Sequence, residues 1–269
     1  MESQFRVAVL VACYNRREKT VTALQSLIDA KPGNWDLRVY LSDDGSTDGT
    51  AEAVGAMPIS VKVIQGPGNW YWARSMYQAE IAIDEEHDAI LWLNDDVELS
   101  VDALEAFDQL HNKNPLSILV GQFCDPQTGE ITYGGMRRLG HHPFRYETVL
   151  AQHSPQVVDT MHGNLVFIPR TISMVVGTID GDYSHAYGDI DFGLRARYDG
   201  FEILATPGFA GTCPQNPAIR HASIRERLKA MHSPKGTPTS SQIRFLKRHG
   251  DVSWPIYFVA PYVRALLTR

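Results

Sequence analysis

Cysteine is sparse in this 269-residue chain: Cys13, Cys124 and Cys213 stand far apart and no C-x-x-C pair occurs. That pattern argues against a structural zinc site or a disulfide framework and fits a reducing cytosol. Long apolar runs are missing too. No stretch approaches the about 18 apolar residues of a membrane-spanning helix, and no basic-then-apolar leader opens the sequence. The expectation is a protein that is neither exported nor membrane-spanning. The turn after the first apolar run, "CYNRREKT", holds no glycine, which removes the G-x-G-x-x-G signature of a dinucleotide-dependent dehydrogenase. Internal repeats and low-complexity tracts are absent as well.

What is present suits an α/β domain, or such a core with an appendage. A hydrophobic content of 43% is ordinary for a folded chain and argues against extensive disorder. The net charge of −6 conceals an asymmetry. Residues 220–269 carry ten Lys/Arg against Glu226 and Asp251, a surplus of eight positive charges, so residues 1–219 must carry −14. A basic tail behind an acidic body points to an anionic partner for the tail, with a solvated helical face as the alternative.

Strand and helix patterns alternate through the first half. "RVAVLVAC" (6–13) is a continuous apolar run of β type, followed by a helical stretch in which Asn15 and Glu18 have capping-box spacing. "DLRVYLSDD" (36–44) alternates as a strand, Asp48 precedes a second helix as its cap, and "SVKVIQ" (60–65) is a third strand. Trp72, Met76, Ala79 and Ile83 then recur at helical spacing. "ILWLNDDVEL" (90–99) is a strand ending in acids; "SVDALEAFDQL" and "SILVGQF" (117–123) follow. Beyond residue 125 come a hairpin or irregular loop (129–142), a strand (161–170), a short helix, a helix ending at Asp199-Gly200, and the strand "FEILATPG". "SPKGTPTSS" (233–241) reads as a loop.

This rhythm implies a mostly parallel sheet with helices on both faces, and in such sheets ligands bind beyond the carboxyl ends of the strands. Three strands end there in polar groups: Tyr14-Asn15, Asp43-Asp44 and Asn94-Asp95-Asp96. Adjacent carboxylates at a strand end repel each other and often merely cap a helix or face solvent. So many converging on one crevice call for a cation, and an oxygen-rich site of this kind suits Mg2+ or Mn2+ with a phosphate ligand.

Four stretches, "VLVACYNRREKTVTALQSL", "LSDDGSTDGT", "LWLNDDVEL" and "YGDIDFGLRAR", resemble the ordered signatures of inverting family 2 glycosyltransferases with the GT-A fold, over roughly residues 6–210. The resemblance implies a Rossmann-like nucleotide-binding half (about 1–124), a smaller acceptor-side half (about 125–215) and a basic C-terminal extension (216–269). It implies that Ala12, Tyr14, Asn15 and Arg16 line the nucleotide pocket and that Asp44, with Asp43 beside it, contacts the nucleobase. Asn94-Asp95-Asp96 takes the D-x-D position with Asn94 in place of its first acid. Asp96 would then hold Mn2+ or Mg2+, and Asp95 would face the ribose or donor sugar. "GDIDFGLR" matches the family's Glu-Asp-x-Asp segment with Gly188 replacing Glu; Asp189 is implied as general base, with Asp191 in reserve. One helical turn holds both acids, so they point in different directions. Arg74, after the glycines of "GPGN", is a candidate diphosphate contact, and helix-start amides can hold phosphate. His162 is a candidate donor contact and His221 a metal or diphosphate ligand, with Arg225 and Arg227 near the diphosphate. Trp70, Tyr71 and Trp72 either stack on a sugar or pack.

The implied activity moves a sugar from a uridine- or thymidine-diphosphate sugar to a glycan or lipid-linked hydroxyl, of hexosyl- or rhamnosyltransferase type, in surface polysaccharide synthesis. No nucleic-acid partner is expected. The implied location is cytoplasmic. The tail (254–269), with Trp254, Tyr257, Phe258 and Tyr262 beside arginines, leaves peripheral contact at the inner membrane face open, although Pro255 and Pro261 argue against a long amphipathic helix there. Two alternatives stay open: a sugar nucleotidyltransferase, which would want a Gly-rich first loop, and a sugar-nucleotide-binding module without chemistry.

Overall fold

The computed structural model describes residues 4–215, 223, 225–226, 229, 232–233 and 238–267. In chain order the first half comprises β1 (Phe5–Cys13), α1 (Arg17–Asp29), β2 (Trp35–Asp43), α2 (Thr50–Gly55), β3 (Ser60–Gln65), α3 (Tyr71–Ile81), β4 (Ala89–Asn94), β5 (Glu98–Leu99), α4 (Ala103–Lys113), β6 (Ser117–Val120) and β7 (Phe123–Cys124). The second comprises β8 (Ile131–Tyr133), β9 (Gly135–Arg138), β10 (Tyr146–Thr148), β11 (Gln156–Val158), β12 (Thr160–Met161), β13 (Leu165–Pro169), α5 (Arg170–Val176), α6 (Gly188–Tyr198), β14 (Glu202–Ala205) and β15 (Gly211–Thr212). Two further helices, α7 (Thr239–His249) and α8 (Trp254–Leu267), follow.

The period-two pattern of the strands builds a core on each face of one sheet. Val7, Val9, Val11, Leu91 and Leu93 pack with Leu24 and Leu27 of α1 and Leu104 and Phe107 of α4. Ala8, Leu10, Ile90 and Trp92 pack with Ala73, Met76 and Ala79 of α3, Phe192 of α6 and Phe245 of α7. The eight strands run in the order β11-β14-β6-β13-β4-β1-β2-β3. β1 through β4 are parallel neighbours and β6 pairs parallel with β14, but β13 pairs antiparallel with both β4 and β6, and β11 with β14. The sheet is therefore mixed. β13 threads between two strands of the first half, so both halves share one core. Two smaller sheets have the orders β10-β9-β12 and β5-β15-β7-β8.

Local expectations fail in three places. Asn15 does not cap α1: the helix is preceded by Arg16 without a side-chain cap. Instead Asp48 accepts Arg17 N (3.0 Å) and also Thr50 N (3.1 Å), so one carboxylate serves the first turns of α1 and α2. The loop read over 233–241 ends early, because α7 begins at Thr239 directly after Pro238. Finally, α8 is helical despite both prolines. Pro255 sits in the first turn, where no intrahelical N–H is lost, and Pro261 lies inside the helix. No helix among the described residues is long and apolar enough to cross a membrane.

Candidate active site

Parallel pairing aligns the strand ends. Ala12 lies opposite Asn94 across β1 and β4, and Cys13 opposite Asp43 across β1 and β2. The loops after all three strands therefore leave one edge of the sheet together. The β1 and β2 loops are laced: Asn15 Oδ1 accepts Thr47 N (2.8 Å), Asn15 N donates to Ser46 Oγ (2.9 Å), and Ser46 N donates to Asp43 Oδ1 (2.8 Å). Ala12 lies at the same edge, half-buried, and Tyr14 is exposed.

The acids behind β4 already have a cation. Arg16 Nη1 donates to Asp95 Oδ1 (2.8 Å) and to Asp96 Oδ2 (2.9 Å). The mutual repulsion expected from sequence is thus relieved within the chain by a residue from the β1 loop. Burial still dominates at Asp95: against the pull of Arg16, and with Asp96 adding to it, the carboxyl is pushed up to about 6. Cys213, brought in behind β15, donates its thiol to Asp96 Oδ1 (3.8 Å), while Asn164 Nδ2 contacts its sulfur (3.6 Å). Burial, then the charge of Asp96, raises that thiol to about 12, so it stays a neutral donor. Neither Cys213 nor Asn164 carries a sequence signal for this position, since both reach it only through tertiary packing.

The start of α3 joins the remaining acids. Asp44, expected at the nucleobase, is buried, and its carboxylate accepts Gly68 N (2.9 Å), Trp70 N (2.8 Å) and Tyr71 N (3.1 Å). Trp72, the next residue, donates its indole N–H to Asn94 Oδ1 (2.7 Å) and packs edge-on to Trp92. The indole lies so close to Gly163 that no side chain fits there. Gly163 N in turn donates to Asp189 Oδ2 (3.0 Å). Asp44, Asn94 and Asp189 are thereby held around one short segment. Gly188, the departure from the family pattern, sits where a Cβ would come within 2.8 Å of Ala73 Cβ; the approach of α6 to α3 requires it. Among the described residues, the non-glycine positions with positive φ are Asn15 (49°), Tyr71 (58°) and Tyr187 (77°). Each stands at the start of an element that carries site residues, which is where backbone strain tends to collect.

Other expected residues lie elsewhere. Asp191 is fully buried on the far side of its helix from Gly163. It accepts from Tyr183 OH (3.2 Å), Arg195 Nε (2.9 Å) and Arg248 Nη1 (2.8 Å), with His249 Nε2 at 2.8 Å. Burial alone would raise its carboxyl, but these partners hold it well below the usual carboxylate range. Arg74 is exposed and lines a cavity of about 520 Å³ with Tyr77, Asp180, Arg195 and Arg248. His162 is inward: its Nδ1 lies 3.1 Å from Gly134 O and 3.3 Å from Gly134 N, its ring is edge-on to Tyr133, and burial lowers its proton affinity. Arg225 is exposed, whereas His221 and Arg227 lie outside the described residues. Two arginines of the basic tail are matched internally: Arg244 pairs with Asp180 and Asp182, and Arg248 with Asp180 and Asp191.

No cluster of three or more His, Cys, Asp or Glu among the described residues is placed to hold a metal ion. Asp95 and Asp96 nonetheless supply hard carboxylate oxygens at a strand tip. Ions such as Mg2+ are commonly held by one or two carboxylates together with water and substrate phosphates, so this donor set fits.

The mixed sheet flanked by helices, with an acid pair at the tip of β4 and an acidic helix start at α6, has the GT-A fold of glycosyltransferases. The Glycosyl transferase family 2 profile matches residues 8–177, and the chain belongs to that family. No curated protein matches it in sequence. Similar solved structures include GalNAc-T7 with UDP, GalNAc and Mn2+ (TM-score 0.72, 16% identity, 100% of this chain and 52% of that one). This chain thus spans about half of that structure. Others are Staphylococcus aureus TarS 1–349 (0.62, 16%, 98% and 81%) and the mannosyltransferase PcManGT from Pyrobaculum calidifontis with GDP-Man and Mn2+ (0.58, 14%, 98% and 73%). At these identities the likeness concerns the fold.

Proposed function

We propose that this glycosyltransferase moves a sugar, with inversion, from a nucleoside-diphosphate sugar to a hydroxyl of a glycan or lipid-linked acceptor in surface polysaccharide or glycolipid synthesis. The observation that carries the reading is the contact path Asp44–α3 start–Asn94 and Gly163–Asp189. It links the tip of β4, where the acid pair begins, to the acid of α6, which supports a shared site.

The UDP and GDP-Man in the similar structures support a nucleotide-sugar donor; uridine and thymidine diphosphate sugars remain the favoured pair. Ala12, Tyr14, Asn15 and Arg16 would line the nucleotide, with Asp43 and Asp44 bracing the loops around it. Asp96, helped by Asp95, would hold Mn2+ or Mg2+. When bound, that ion offsets the negative charge gathering on the departing diphosphate. Arg16 stands beside the same acids and would turn toward the diphosphate. Asp189 takes the proton of the acceptor hydroxyl as its oxygen bonds to the anomeric carbon and the bond to the diphosphate breaks. Gly163 N–H (3.0 Å) and Ile190 N–H (2.9 Å) each hold one of its oxygens, orienting the carboxylate while a lone pair would face the acceptor.

The test is a thermal-shift series with UDP, TDP, GDP and their sugars, with and without Mn2+. A ligand of the native state raises the melting temperature by mass action. A metal-dependent rise with one diphosphate family is expected; no rise with any of them overturns the reading. Donor binding without any transfer would favour the non-catalytic module.

A further inference from the structure

The outward face of α8 is unusual for a protein surface. Val252, Pro255, Ile256, Val259, Ala260 and Val263 are all exposed, Val252 by 96%, Ile256 by 69%, Val259 by 50% and Val263 by 45%. Within the helix, Ile256, Val259, Ala260 and Val263 recur at spacings of three and four, which puts them on one stripe, and Val252 lies in the turn before it. Scattered single apolar residues at a surface need no explanation, but a contiguous apolar stripe marks an interaction site.

The other side of α8 is anchored. Tyr257 lies edge-on to His142 at 4.8 Å, and the Tyr262 hydroxyl is 3.4 Å from Thr239 Oγ1 of α7. The stripe is thus the face left over after packing. At the helix start the Lys247 ammonium lies 6.0 Å from the Trp254 ring centre, with Asp251 the nearby acid in sequence.

We propose that this stripe docks on an anionic lipid surface, with α8 lying in the plane of the interface. An apolar face with half-buried aromatic rings, in a segment rich in cations, suits that boundary, where apolar area and charge act together. A second copy suits it less, since a twofold contact would bring together two segments (220–269) that each carry a surplus of eight positive charges. The anchored side of α8 is linked to the site. His142 neighbours Phe144, whose ring centre lies 5.4 Å from that of Tyr187, the residue immediately before Gly188 and Asp189. On the proposed reaction, which this consequence rests on, Asp189 would work close to lipid-linked acceptors.

The experiment is co-flotation of the full chain with vesicles of phosphatidylcholine alone, or of phosphatidylcholine mixed with phosphatidylglycerol. Binding is expected to the anionic vesicles, to weaken as salt screens the charges, and to fall at least about tenfold in Ile256→Asp/Val259→Asp. Circular dichroism and melting temperature should stay near wild type, because both side chains already face outward. Ile256→Ser/Val259→Ser is the milder pair should the charged one misfold. Absence of vesicle binding, or equal binding to both vesicle types, overturns the proposal. So does a concentration-dependent dimer that the same substitutions abolish, which would assign the stripe to a second copy. No turnover is measured, so either outcome leaves the transfer reaction to its own test.

Discussion

The indole N–H of Trp72 donates to the amide oxygen of Asn94 at 2.7 Å, joining the first turn of α3 to the tip of β4. An amide thus stands where the family pattern has an acid, and its acceptor oxygen is directed at a tryptophan. Because the same indole presses on Gly163, which holds Asp189, Trp72 is a positioning residue for both sides of the crevice. Trp72→Phe leaves Asn94 without its donor and opens space beside Gly163. The expected result is a turnover loss of roughly tenfold with a stability cost of about 1–3 kcal/mol. Steady-state rates and denaturant melts read these separately, and an unaltered rate would show that the bridge is only packing.

Asp189 and Asp191, two residues apart, should behave as different kinds of acid. Asp189→Asn keeps one acceptor oxygen for Gly163 N–H but cannot take a proton. Turnover should drop about 10²–10⁴-fold with donor affinity retained by calorimetry. Asp191→Asn instead leaves Arg195, Arg248 and His249 facing a neutral partner in a buried site, and a loss of about 3–5 kcal/mol is expected in urea melts. Equal effects of the two variants on rate and stability would refute this division.

Arg16 and a divalent ion want the same oxygens of Asp95 and Asp96. Arg16→Met should therefore tighten Mn2+ binding measured without nucleotide and weaken binding of the nucleoside diphosphate, by several-fold each. Isothermal titration of each ligand alone checks both directions; if neither affinity moves, the bridge has no part in ligand binding.

Glu80 of α3 is buried and accepts Ile179 N at 3.0 Å. Burial pushes its carboxyl from 4.5 up to about 7, against that hydrogen bond and the charge of Arg195. Between those values the folded chain holds a proton that the unfolded chain has released, so stability is lost as pH rises through the window. Glu80→Gln keeps an oxygen for Ile179 and removes the titration. Urea melts at pH 4.5, 6 and 8 should show the variant gaining on wild type as pH rises, by at most about 3 kcal/mol. A constant difference would place the Glu80 proton affinity near its ordinary value.

Much of the site's location was legible from local pattern. The apolar runs ending in Tyr14-Asn15, Asp43-Asp44 and Asn94-Asp95-Asp96 announce parallel strands with polar tips, since strand period and chain direction are local properties. The different directions of Asp189 and Asp191 follow from helical geometry, and Arg195, four residues after Asp191, was a readable sign of its ion pair. Hidden were the partners. Arg16 reaches Asp95 across 79 residues, and Arg248 reaches Asp191 across 57. No periodicity encodes such pairs, because they depend on which faces the sheet brings together.

By itself, then, the order of residues determined the alternation of strands and helices, the edge at which the acids gather, and the family. The tertiary structure alone decided which partners hold each acid. Asp44 is held by loop amides, Asp191 by α6 and α7, and the Asp95–Asp96 pair by Arg16. Burial and hydrogen bonding decide whether a carboxylate is a strut or a reagent, and both are set by neighbours that only the folded chain supplies.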